Sequence, residues 1–181
     1  MSRTVPSTRV GVVRTTLLLL ALVAGLTACA GGDDGDGADE TSGVDAVERT
    51  TTERAKEAIP LASGALAATA TEIYTQWQSC MAISWKHAVF GFITAPEGNP
   101  ARQLESIRTA LLDAGYDDAT QVDGHVTMSR DETTFDIQQP GAAYGKGTWQ
   151  VSVTSACAGY RGDDKARIDN DTPTLVEGFG P

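Results

Sequence analysis

Histidine, cysteine and positive charge are scarce in this chain of 181 residues. It has two His, three Cys and 14 Lys+Arg against 24 Asp+Glu, a formal charge of −10. Phosphate neutralisation needs clustered Lys and Arg, so nucleic-acid binding is excluded as a partner class. Two His leave little material for a metal site or for acid–base chemistry. No HExxH, GxSxG, GK[ST] phosphate loop or CxxC pair occurs, so no cofactor or metal is implied and no catalytic residue stands out. Aromatic residues make up only 6%, yet 41% of residues are hydrophobic, enough to build one core in a chain of this length.

The N-terminal 28 residues read as an address rather than as fold. Arg3, Arg9 and Arg14 form a basic region without acids, followed by the apolar run Leu17 to Ala24. That run is shorter than the about 20 apolar residues a spanning helix needs and suits a signal-peptide core. Leu26-Thr27-Ala28-Cys29 comes next. This order resembles the lipobox of bacterial lipoproteins, and the Ala/Thr/Gly/Asp-rich, Lys-poor composition resembles the small surface lipoproteins of high-GC Gram-positive bacteria. The resemblance covers about the first 30 residues and implies a diacylglyceryl group on the Cys29 thiol and cleavage after Ala28. It implies a position on the outer face of the cell membrane. Ala30, rather than Asp, follows the cysteine. Two acyl chains hold stably where one binds marginally, at ~0.8 kcal/mol per buried CH₂. Without the three leader arginines, 11 basic residues face 24 acids, a charge of −13. Anionic lipid repels such a body, so the lipid must do the holding.

Segment 29–43 is expected to be the lipidated cysteine and a flexible acidic tether, because Gly loosens the chain and its acids repel one another. Asp34 and Asp36 fit two positions of a calcium loop, but the rest of that pattern is missing.

Segment 44–158 carries the folded domain. Helical composition over 44–58 leads to Pro60, which is expected to break or kink the helix. Leu66, Ala70, Ile73, Tyr74 and Trp77 then recur at helical spacing, which predicts a second helix over 61–79 that delivers Cys80. Residues 84–93, aromatic and β-branched, predict a strand apolar on both faces. A helix over 100–114 starts at Pro100 and stops at Gly115. Three strands are expected over 122–129, 133–138 and 148–157. The fold class is α+β: a two-layer sandwich with helices on one face of a four-stranded, mostly antiparallel sheet. Segment 159–181 is read as a loose polar tail on which Leu175, Val176 and Phe179 can dock back.

With Cys29 given to lipid, Cys80 and Cys157 remain as one pair, and an exported compartment permits a disulfide. The alternative is two buried free thiols. A bridge over 77 residues is worth ~4–5 kcal/mol in the chain-entropy account. It also favours the antiparallel sheet, because the Cα atoms must come within about 7 Å.

Trp77 and Trp149 fall on inward faces and read as core. Trp85, His87, Phe90 and Phe92 lie on the strand that is apolar on both sides; with Tyr144 in the loop beside it, they form the candidate binding surface. His87 doubles as a core or sheet-face histidine, and His125 as a surface residue near a turn. The leading function is a monomeric, membrane-tethered binding or accessory module for a protein, peptide or envelope component. An apolar-ligand carrier with a pocket between helices and sheet is the alternative, and a cell-wall enzyme is third.

Overall fold

A computed structural model describes residues 43–139 and 144–179, all within the unit 39–181. Cys29, Ala28, the leader and most of the tether lie outside the described residues. The elements run α1 (Gly43–Ala65), β1 (Thr69–Met81), β2 (Ser84–Thr94), α2 (Pro100–Asp113), β3 (Asp117–Asp118), β4 (His125–Arg130), β5 (Thr133–Gln138), β6 (Thr148–Ser155), α3 (Gly162–Asp169) and β7 (Thr174–Leu175). The α+β class stands, but the sheet has seven strands rather than four, in the order β3-β4-β5-β6-β2-β1-β7. Every pairing is antiparallel.

The segment predicted as a second helix is instead split between the end of α1 and strand β1. Its buried residues are Ala70, Ile73 and Trp77, at intervals of three and four. A bulge produces that spacing. Thr71 pairs with Phe92 and Tyr74 with Phe90, so Glu72 and Ile73 together oppose Gly91. The extra residue lengthens one step of the strand's two-residue alternation, and the result imitates a helix. Glu72 takes φ 50° at the bulge. The backbone then lies over Gly91, where a Cβ would come within 2.6 Å of the Glu72 carbonyl oxygen and of Ile73 Cδ1. Thr69, Thr71, Ile73 and Thr75 also favour strand over helix.

Pro60 does not end α1, which continues to Ala65. A mid-helix proline costs about 3 kcal/mol. Ile59, Ala62 and Leu66, all buried on the sheet, hold the helix together past it. α2 begins as expected: Asn99 caps it by accepting from Arg102 N–H, and Pro100 occupies the first turn.

The helices α1 and α2 cover one sheet face. Between them and the sheet lie Trp149, Phe135, Ile59, Ile107, Leu111 and Met128, all fully buried. A second, smaller cluster gathers Val44, Trp77 and Ile168, with Val47, Trp85 and Tyr160 beside them. The tail is therefore folded, not loose. Ile168 of α3 enters that cluster, Leu175 of β7 pairs with Tyr74, and Val176 and Phe179 pack on the main core.

Cys80 and Cys157 are bridged, with Cα atoms 6.2 Å apart. Strand β6 runs antiparallel to β2, so its end returns to where β2 begins. Trp85 and Ala158 exchange both backbone hydrogen bonds at 2.9 Å beside the bridge.

Candidate binding surface

The sheet's two faces follow from the register. On β2, Val89, Gly91 and Ile93 point toward the helices, so Phe90 and Phe92 point away. Trp85 and His87 share the parity of Val89 and belong to the helix side. Among the described residues, no helix covers the opposite face.

That open face is ordered in cross-strand rows. One row reads Tyr74, Phe90, Ser152, Asp136 and Thr127; the next reads Phe92, Gln150, Gln138 and His125. The aromatic residues collect at one end of these rows. Tyr74 lies 6.3 Å from Phe90, and Tyr144 stacks on Phe92 at 5.3 Å with the rings 28° apart. The Thr148 hydroxyl donates to the Tyr144 carbonyl at 2.8 Å and fixes the loop end that carries the ring. Tyr144 remains 57% exposed and Phe90 and Phe92 half-buried, so their ring edges stay accessible.

The five residues of the expected surface are thus divided. Phe90, Phe92 and Tyr144 meet on the open face and gain Tyr74, which the mistaken helix had hidden. Trp85 and His87 are removed from it. The His87 ring is 3% exposed. Its Nε2 lies 2.6 Å from the Thr75 hydroxyl, and its Nδ1 has no partner among the described residues. Burial pulls its pKa from 6.5 down to about 4, partly countered by the Asp171 carboxylate, so the ring is neutral at pH 7. The Trp85 ring sits under the Lys165 ammonium at 5.1 Å.

His125 is the functional-type residue that sequence alone underplayed, for it faces the open side with Asp136. Its Nδ1 stands 3.7 Å from the Asp136 carboxylate, and the Thr127 hydroxyl donates to that carboxylate at 2.8 Å. The hydroxyl is bound to the acid rather than to the imidazole, so this group lacks the base-to-nucleophile link of a hydrolase. Among the described residues, no group of three His, Cys, Asp or Glu is placed to hold a metal ion, and no helix is long and apolar enough to cross a membrane.

An open crevice of about 290 Å³ lies between the first turns of α1 and the ends of β5 and β6, lined by Val47, Thr50, Thr133, Ala156 and Tyr160 among others. No protein family, curated protein or solved structure matches the chain.

Proposed function

We propose that this chain is a lipid-anchored extracytoplasmic binding or accessory protein, held by diacylglyceryl-Cys29 and contacting its partner through the open sheet face. The observation that carries the reading is the gathering of Tyr74, Phe90, Phe92 and Tyr144 on the face that the helices leave bare. Soluble domains bury such rings when they can, and a half-exposed cluster on a flat polar sheet is the composition of a contact surface. The flanking Gln138, Gln150, Ser152 and Thr127 provide hydrogen-bonding groups around it. The partner class is a protein, peptide or envelope component.

The carrier alternative requires an apolar cavity between helices and sheet. That layer is occupied by Trp149, Phe135 and their neighbours, and the crevice beside α1 is at the lower limit of small-ligand pockets, about 300 Å³. The cell-wall enzyme reading draws on His125, Asp136 and Thr127, where the Thr127 hydroxyl donates to the acid and not to the imidazole.

A photo-crosslinking residue at Tyr144 in intact cells tests the reading, with one at the exposed Lys56 on α1 as control. Discrete adducts at 144 and none at 56 support it. Equal labelling at both positions, or labelling at 56 alone, refutes it. Mass spectrometry of the mature N-terminus tests the anchor: an unmodified thiol at Cys29 or an uncut leader removes it.

A further inference from the structure

We infer that the β1–β2 hairpin tip, Met81-Ala82-Ile83, inserts into the membrane interface and forms a second attachment beside the acylated N-terminus. The inference rests on the lipid anchor proposed above.

The tip is apolar where it is most exposed. Met81 is 74% and Ile83 80% exposed, and Ala82 between them is also exposed. From Gln78 to Trp85 the chain carries no charge. Segment 155–160, pinned beside it by the Cys80–Cys157 bridge and the Trp85–Ala158 hydrogen bonds, is uncharged as well. The bridge and the paired strands hold the tip in place, so an apolar contact there requires little ordering. Tyr160 and Trp85 stand just behind it, ring types that favour a membrane–water boundary.

The path of the chain brings the tip to the lipid. α1 runs away from this end of the sheet and β1 returns to it, so the start of the helix and the hairpin tip share one end. Val44 packs against Trp77, and Met81 lies four residues further along β1. At 3.3 Å per residue the tip extends about 13 Å beyond the level of the helix start. The 14 residues from Ala30 to Gly43 separate Cys29 from the start of α1, and covalent geometry limits such a stretch to about 50 Å. An anchor at Cys29 therefore joins the domain at the end that carries the hairpin tip. Asp131, Glu132, Asp163 and Asp164 belong to loops and a helix at the same end, and anionic lipid repels them. The contact is confined to the tip, and the rest of the domain stands off.

The test uses the natively processed chain with Ala82→Cys, whose added thiol is the free one when Cys29 is acylated and Cys80 is bridged. The thiol carries a small polarity-sensitive fluorophore, and the protein is mixed with phosphatidylglycerol/phosphatidylethanolamine vesicles. Flotation reports the anchor; the probe reports the tip. The expected result is flotation with a blue-shifted emission that lipid-borne nitroxide quenches several-fold more than aqueous iodide. Adding Met81→Asp and Ile83→Asp should return the probe to water while flotation persists, with the disulfide and melting temperature checked to confirm folding. A chain that floats while its unsubstituted tip stays in water overturns the inference alone and assigns the tip to a protein partner. A chain that does not float overturns the anchor, and the inference with it.

Discussion

Acidification should weaken the fold through one buried imidazole. In the unfolded chain His87 takes up a proton near its ordinary 6.5, whereas in the folded chain it does so only near about 4. Between those values the unfolded state binds more protons, so stability rises with pH. The contribution is complete above about pH 6.5 and is lost as pH falls toward 4. A difference of about 2.5 units at 1.36 kcal/mol each gives about 3 kcal/mol over that window. The structural cause is burial: a protonated ring would carry its charge in a site where the Nδ1 N–H has no acceptor among the described residues, with only the Thr75 hydroxyl at Nε2. Asp171 stabilises the charge but Arg167 opposes it. Urea unfolding at pH 7, 6, 5 and 4 on the native chain and on His87→Phe isolates this contribution, because the carboxylates titrate in both. The native chain should lose about 3 kcal/mol more than the variant across the series, and the two curves should run parallel below pH 4. Parallel curves throughout, or an NMR midpoint for His87 near 6.5, would refute the reasoning.

Gly91→Ala should destabilise by at least ~1–3 kcal/mol in urea titration, because its Cβ meets the Glu72 carbonyl as well as a movable side chain. A neutral result would mean that the bulge relaxes freely. The pair Cys80→Ala/Cys157→Ala should lose about 2–4 kcal/mol, below the chain-entropy figure for a 77-residue separation. A melting temperature unchanged by reduction would contradict this. Trp149→Ala, at a fully buried position in the main core, should lose about 3–5 kcal/mol, whereas Tyr144→Ser on the open face should change stability by less than about 1 kcal/mol and act on binding alone.

Local signals were sufficient wherever an element carries its own punctuation. α2 is legible because Asn99, Pro100 and Gly115 bracket a regular apolar period. β5 and β6 are legible because Phe135, Ile137, Trp149, Val151 and Val153 alternate without interruption. β1 imitates a helix in the sequence because its alternation is broken by a bulge that only the neighbouring strand reveals. Once the bulge is known, the absent side chain at Gly91 reads as its partner. α1 passes Pro60, and the tail folds, for the same reason: burial against distant strands outweighs local preference.

The binding surface illustrates the same limit more sharply. Alternation alone shows that β2 is apolar on both sides, so Trp85, His87, Phe90 and Phe92 read as one group in the sequence. It could not distinguish the side facing α1 from the side left bare, since that choice depends on where α1 and α2 pack. Their placement puts the four residues on two sides of the sheet. Trp85 and His87 help close the end of the domain at which α1 begins, while Phe90 and Phe92 join Tyr74 and Tyr144 on the open face. With the hairpin tip in the bilayer, β1 and β2 rise away from the membrane rather than along it. The aromatic rings at Phe90 and Phe92 then stand roughly 20–26 Å along β2 from the Met81–Ser84 end of the sheet, at about 3.3 Å per residue. Under the proposed attachment, a partner that meets these rings approaches from the side of the sheet and not from the lipid beneath.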